Sequence, residues 1–372
     1  MIKQEMKMIS DLKGKSATLH QMAGIYVTRG DLDGAMKLYQ QSLQIDEGLG
    51  NLQGKSATLR AMANVHVTRG DLGGAMTVYQ QVLEIVERLG DLQGKSATLH
   101  EIAGIYVMRG DLNGAMKLYQ QSLQIDEGLG DLQSKSTTLY EMANVYVTRG
   151  DLGGAMKLYQ QSLQIFEGLG DLKGKSATLR QMANVYVTRG DLDGAMKLYQ
   201  QSLQIFEGLG NLKGKATTLN NMANVYVTRG DLDGAMKLFQ QSLQIDEGLG
   251  NLQGKSITLN NMAGIYVTRG DLDGAMKLYQ QSLEIKEGLG DLQGKSATLN
   301  NMAVVLFQNG KYQPALQALL EALVTLEKIG ARPGADTVAG LIVQFRSKLG
   351  AERFDLLWRD VTGGASLPDW LS

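Results

Sequence analysis

Thr188-Arg189-Gly190-Asp191-Leu192-Asp193-Gly194-Ala195-Met196 is the stretch on which the fold turns. Its pattern, Thr-Arg-Gly-Asp-Leu-x-Gly-Ala-Met, returns every 40 residues with almost no drift. Eight units start at residues 11, 51, 91, 131, 171, 211, 251 and 291, and none carries an insertion or deletion. The eighth diverges, reading Val-Val-Leu-Phe-Gln-Asn-Gly-Lys-Tyr over 304–312. A fixed period of this length is the signature of stacked supersecondary units.

Working outward, Gly190 supplies a left-handed residue that ends one helix, and Asp191 supplies the N-cap that starts the next. Upstream, Asp171 caps a helix A in which Leu179, Met182, Ala183 and Tyr186 follow i, i+3, i+4, i+7 spacing. Downstream, helix B carries Leu192, Ala195, Met196, Leu198, Tyr199, Ser202, Leu203 and Ile205, and Gly208 and Gly210 close the unit. Helices of this length are marginal alone in water, so each pair must bury its apolar face on the next. The expected fold is an all-α solenoid of helix-turn-helix units over residues 11–330.

The ends differ from the body. Residues 1–10 align with the last ten of a unit but match it only at Gln4, and conservatively at Ile9. They read as the worn tail of an upstream helix B. That leaves an open N-terminal edge, suited to a preceding domain, a docking partner or self-association. Over 331–372, Pro333-Gly334 is expected to break the last helix B. Asp336 is expected to cap a helix carrying Val338, Leu341, Ile342, Phe345 and Leu349. A shorter helix over 351–360 presents Phe354, Leu357 and Trp358. These read as capping helices, with Trp370 of the tail folded back on them.

Composition excludes several functions. There are no cysteines, hence no disulfides, thiolate metal sites or thiol nucleophiles, which fits a reducing cytoplasm. Three histidines leave little for metal or acid–base chemistry. A net charge of −1 offers no basic excess for nucleic acid or an anionic membrane, and no apolar run could span a bilayer.

Short motifs dissolve on inspection. Gly54-Lys55-Ser56 resembles half of a phosphate loop, but Leu49 stands where the first glycine belongs and a helix precedes it. Arg-Gly-Asp, seven times from Arg29-Gly30-Asp31 onward, is a helix stop followed by a cap. Asp31-Leu32-Asp33-Gly34 lacks the ligands of a calcium loop. The methionine stripes through Met22 and Met36 fall at core spacing. Any catalytic constellation would be copied in unit after unit, so no enzyme, cofactor or metal site is expected.

The unit resembles a tetratricopeptide repeat. In the second unit the matching places hold Leu59, Met62, Ala63, His66, Gly70-Asp71, Ala75, Tyr79 and Val82. The usual repeat has about 34 residues. The longer form here, with Gly50 to Lys55 and Met182 to Tyr186, is similar to Leu-Gly-Asn-rich spindle-orientation adaptors, kinesin light chains and bacterial multi-repeat regulators. The resemblance implies a right-handed superhelix whose concave groove is lined by the A helices.

Within the chain, variation concentrates on helix A. One position reads His20, Arg60, His100, Tyr140, Arg180, Asn220, Asn260, Asn300; its neighbour reads Gln21, Ala61, Glu101, Glu141, Gln181, Asn221, Asn261, Asn301. A third reads Gly24, Asn64, Gly104, Asn144, Asn184, Asn224, Gly264, Val304. The first and third are i and i+4, on one helical face. The resemblance places that face in the groove and assigns Asn64, Asn144, Asn184 and Asn224 to the main chain of an extended peptide, since an amide both donates and accepts. Arg60, Tyr140, Arg180, Asn220, Asn260 and Asn300 are the expected further anchors, aromatic and basic first, amide-rich later. A lesser contact is expected at the helix B position Asp46, Val86, Asp126, Phe166, Phe206, Asp246, Lys286. The function expected is a protein- or peptide-binding scaffold. The alternatives are a regulatory arm of a larger signalling or defence effector, or a self-assembling structural solenoid.

Overall fold

The computed structural model describes residues 2–371, with side chains from residue 6 onward, so the Gln4 match lies outside the described side chains. Eighteen α-helices and a final 3-10 turn account for the ordered elements, and no strand occurs among the described residues. The chain divides into two compact units at Val185/Tyr186. The first holds α1 (Ile2–Thr28), α2 (Leu32–Gly48), α3 (Leu52–Thr68), α4 (Leu72–Leu89), α5 (Leu92–Met108), α6 (Leu112–Leu129), α7 (Leu132–Thr148), α8 (Leu152–Leu169) and most of α9 (Leu172–Thr188). The second holds α10 (Leu192–Gly208), α11 (Leu212–Thr228), α12 (Leu232–Gly248), α13 (Leu252–Thr268), α14 (Leu272–Leu289), α15 (Leu292–Gln308), α16 (Tyr312–Lys328), α17 (Arg332–Leu349) and α18 (Ala351–Thr362). From α1 to α8, and again from α10 to α18, each helix packs on the next.

The turns follow from the glycine–acid pair. Gly190 sits at φ 81°, where a side chain would be strained. Asp191 then accepts the Gly194 amide at 2.8 Å, satisfying one of the orphan donors of α10. Asn51 does the same for α3, accepting from the Gly54 amide at 3.2 Å. The Arg-Gly-Asp tripeptides are therefore helix stops and caps.

Apolar spacing becomes core. Leu139, Met142, Ala143 and Val145 of α7 and Ala155, Met156 and Tyr159 of α8 are buried. In the expected helix A stripe, Val185 rather than Tyr186 is the fully buried member. The tyrosine at that place instead lies against the start of the following helix, as Tyr146 does at Gly154. Met22 departs from its stripe and is 42% exposed, because no helix precedes α1 to cover it among the described residues.

The ends revise the sequence reading. The boundary set at residue 11 falls inside α1, which runs unbroken from Ile2. Ser10 stands where the other units have a turn glycine, so nothing there stops the helix. At the other end, Gly330 at φ 70° ends α16, and Pro333 lies in the first turn of α17, where its missing amide costs nothing. Asp336 is thus inside α17 and is not its cap. The tail docks through Leu371, 4% exposed, while Trp370 is 46% exposed. Arg346 Nη1 holds the Leu371 carbonyl at 2.6 Å, and Trp358 Nε1 donates to Ser366 O at 3.3 Å.

Two glycines separate packing from propensity. A Cβ at Gly174 would land against the ring of buried Phe166, whereas one at Gly104, mid-helix in α5, meets only the Tyr119 hydroxyl at 4.0 Å. Gly174→Ala is expected to cost about 1–3 kcal/mol by overpacking. Gly104→Ala is expected to gain roughly 0.5–1 kcal/mol from helix propensity. The midpoints of urea unfolding test both signs.

Candidate functional site

The variable face of helix A in the first unit is built on a tyrosine. Tyr79, Tyr119 and Tyr159 are buried, and burial pushes their hydroxyls well above the ordinary tyrosine range, so they stay neutral donors. Tyr79 donates to Asn64 Oδ1 and Tyr159 to Asn144 Oδ1. Asn144 Nδ2 donates to Glu141 Oε2 at 3.0 Å, and Asn184 Nδ2 to Gln181 Oε1 at 2.5 Å. The amides at 64 and 144 are therefore oriented from below, with the acceptor tied down. At Gly24 and Gly104, where glycine replaces the amide in this unit, a histidine covers the tyrosine instead: His20 and Tyr39 meet edge to face at 5.2 Å, His100 and Tyr119 at 5.1 Å.

Arginines and glutamates share this face. Arg60 is half-buried and donates from Nη2 to Gly94 O at 3.3 Å. Nε of Arg60 and Nε of Arg180 are buried without a hydrogen-bond partner. Tyr140 packs edge to face on Tyr159 at 5.7 Å. Glu101 is still reached by solvent, but the protein crowded around its carboxyl strips part of its hydration and raises it above the ordinary carboxylate range, with the Arg60 guanidinium opposing and the Glu141 carboxylate adding to it. Burial likewise raises Glu141, against the hydrogen bond from Asn144. The expected aromatic and basic half is thus corrected: acids stand among the arginines.

In the second unit the amides knit repeats together. Asn220 is buried and donates from Nδ2 to Thr258 Oγ1 at 2.7 Å, while its Oδ1 accepts from Asn261 Nδ2 at 2.9 Å. Asn260 Oδ1 accepts from Thr298 Oγ1 at 3.3 Å. These two residues are mortar between helices A, which revises their reading as anchors. Asn224 is exposed, and Asn300 Oδ1 is buried without a partner.

The helix B position expected as a lesser contact is buried throughout: Asp46, Val86, Asp126, Phe166, Phe206, Asp246 and Lys286 are all at most 5% exposed. It plugs the gap to the first turn of the following helix A, as the Phe166–Gly174 approach shows. Its charged members find buried partners. Asp46 accepts from Ser16 at 2.8 Å and Asn51 at 2.7 Å, and Asp246 from Asn251 at 2.7 Å. Lys286 donates to Thr298 Oγ1 at 2.7 Å and Gly294 O at 3.2 Å, and burial lowers its ammonium with the Asp291 carboxylate opposing. Variation in sequence carried no sign of this burial, since the partners lie up to 30 residues away. Among the described residues, no group of three or more His, Cys, Asp or Glu is placed to hold a metal, and no helix is long and apolar enough to cross a membrane.

Helix pairs stacked in fixed register, with a variable polar face on one helix of each pair, define an α-solenoid. Residues 15–88, 94–168, 174–248 and 254–328 match the tetratricopeptide repeat, and the chain belongs to that family of protein-interaction repeat domains. Its structure is similar to the apo quorum sensor NprR from B. thuringiensis (12% identity, 87% of this chain and 91% of that one, TM-score 0.65). It is also similar to a Rap protein complexed with Competence and Sporulation Factor (15% identity, 94% and 97%, TM-score 0.59). A third is a Signal Transduction ATPase with Numerous Domains carrying a tetratricopeptide repeat sensor, from Pyrococcus horikoshii (16% identity, TM-score 0.60). It matches over 87% of this chain, which spans half the length of that protein. No curated protein sequence matches the chain.

Glu141 gives the face a pH signature. A carboxyl whose folded value is raised favours the folded state when protonated. Its contribution is full below the ordinary glutamate range and is lost as pH rises through the raised value. Glu141→Gln is expected to raise the melting temperature near pH 7 and to converge with the parent near pH 4. Calorimetry across that range checks it; a variant less stable near neutrality contradicts the burial account.

Proposed function

We propose that this chain is a binding module and not a catalyst, taking an extended protein segment along the helix A face of its first unit. The observation that carries the reading is the pair of buried, unpartnered guanidinium donors, Arg60 Nε and Arg180 Nε, on the face where the repeats differ. A buried donor left unmade costs about 1–3 kcal/mol, so each guanidinium would gain by turning outward to bond a ligand carbonyl or carboxylate. Asn64, Asn144 and Asn184 add neutral contacts at ~1 kcal/mol each, millimolar binding by themselves, so the arginines and Tyr140 must supply the anchoring. The acids Glu101 and Glu141 favour a segment of mixed charge. The same face would serve a sensor arm of a larger signalling protein.

Peptides selected from a random displayed library against the full chain test this. Arg60→Ala with Arg180→Ala is expected to weaken the selected peptides by roughly a hundredfold at an unchanged melting temperature. Affinity left intact in that double variant would remove the face from consideration.

A second reading is self-association through α1, where Met22 and Ile25 are 42% and 51% exposed. It predicts concentration-dependent mass in light scattering, abolished by Met22→Lys with Ile25→Lys; a monomer at all concentrations counts against it.

A further inference from the structure

One inter-repeat gap in the first unit departs from its siblings at several positions at once. Between α5, α6 and α7 lies a cavity of about 160 Å³. Ser96, Ser122, Asp126 and Thr138 form its floor, each at most 2% exposed. Ala97, Glu101 and Gln133 stand exposed at its mouth. The fourth repeat opens Asp-Leu-Gln-Ser-Lys-Ser-Thr over 131–137, where its siblings have glycine in place of Ser134 and most have alanine in place of Thr137. Both substituted residues line this cavity, so the breaks in the repeat converge on one place and each adds a hydroxyl there.

The charge in the cavity is uncompensated. Asp126 accepts from Ser96 Oγ at 2.5 Å and distantly from Thr138 Oγ1 at 3.4 Å. In the two other repeats with aspartate at this plug, the following cap is asparagine and donates its amide to the carboxylate. Here the cap is Asp131, occupied with the Ser134 amide and hydroxyl at 3.0 and 2.9 Å. Two carboxylates therefore sit where the siblings have a carboxylate and an amide. No lysine or arginine lines the cavity, and the nearby Lys135 is engaged by Glu127 at 2.8 Å. His100, on the wall, is lowered by burial and carries no charge near neutrality. Burial, then the Asp131 charge, raise Asp126 against the hydrogen bonds from Ser96 and Thr138, the mark of a carboxylate short of a partner.

The second unit shows what suits such a gap. At the equivalent plug, Lys286 places its own nitrogen between Thr298 Oγ1 and Gly294 O, the counterparts of Thr138 Oγ1 and Ser134 O. An amine thus fits the oxygen cage of this repeat. Aspartate is the shorter side chain, so the cage in the first unit is left open with a negative floor.

We propose that the Asp126 cavity is a binding pocket for a primary ammonium group, the head of a lysine side chain or of a free polyamine. Where the ammonium belongs to a lysine, the inference deepens the binding reading above, adding a lysine pocket beside the Arg60–Arg180 face.

Titration of the full chain with two probes, Nα-acetyl-lysine methylamide and spermidine, tests it, with Nα-acetyl-norleucine methylamide as the uncharged control. Saturable binding of at least one amine is expected, with none of the norleucine compound. Asp126→Asn should weaken it at least tenfold. Asp126→Val, copying Val86, keeps a side chain the fold already accepts at this plug and should lose binding at a retained melting temperature. Asp126→Lys, copying Lys286, should fill the cage from within and abolish binding. Tighter binding of blocked lysine assigns the pocket to a protein side chain, and tighter binding of spermidine to a free polyamine. No saturable binding of either amine, or affinity in the Asn and Val variants equal to that of the parent, overturns the proposal. The probes are single small molecules, so failure of the peptide-face variants would leave this result standing.

Discussion

Nearly every turn between helices is made by a glycine held at positive φ, and from Gly30 to Gly290 the next residue is an aspartate or asparagine whose side chain caps the following helix. The turn has one length, so the register of each helix on its neighbour is fixed without adjustment. Everything else inherits that register. From Tyr39 to Tyr279 the aromatic of helix B, Phe239 in one repeat, arrives at the same place beneath helix A, and the plug near the end of helix B arrives at the first turn of the next helix A. A repeat array built on looser turns could not hold an arginine donor or a tyrosine hydroxyl at the same depth in successive units.

Fixed register makes the solenoid tolerant in one place and strict in another. In the first unit the helix A face accepts arginine, tyrosine or histidine because each only has to lie half-buried near a helix B tyrosine. The plug is enclosed, and a charge there requires partners that are built in: Ser16 and Asn51 for Asp46, Thr298 and a carbonyl for Lys286. A buried charge without such partners would cost several kcal/mol.

The turns, caps and core stripes were legible because they are local: a glycine, its acid and the i, i+3, i+4 spacing lie within one helix. The burial of the plug was hidden because its partners come from other repeats, and because Asp, Val, Phe and Lys at one position look like drift on a surface. Asn220 and Asn260 misled in the same way, their amides being spent on Thr258 and Thr298 of the next repeat. At the ends the signals were misweighted. Pro333 reads as a breaker but sits where a helix tolerates it, and Leu371, not the larger Trp370, carries the docking of the tail.

Near-identical repeats face a hazard that ordinary domains do not: a slip by one unit preserves almost every contact. Ala183 and Ala143 occupy the same kind of core place, as do Tyr159 and Tyr119, so the constant residues cannot tell one neighbour from another. The plugs can. Asp46 placed against Asp91 would trade a donated amide for a second carboxylate, and Phe166 placed against Ser134 would meet a side chain where Gly174 offers none. These two mispairings bury an unmet charge or overfill a gap, at a cost of about 1–3 kcal/mol, whereas Phe166 and Phe206 both meet a glycine, Gly174 and Gly214, and do not tell those two repeats apart. The chemical diversity of this enclosed position therefore disfavours some of the slipped registers that the repeated residues alone would accept. The Asp126–Asp131 junction forgoes the amide that Asn51 and Asn251 donate at the equivalent place, and there the hydroxyls of Ser134 and Thr137 gather around an open cavity.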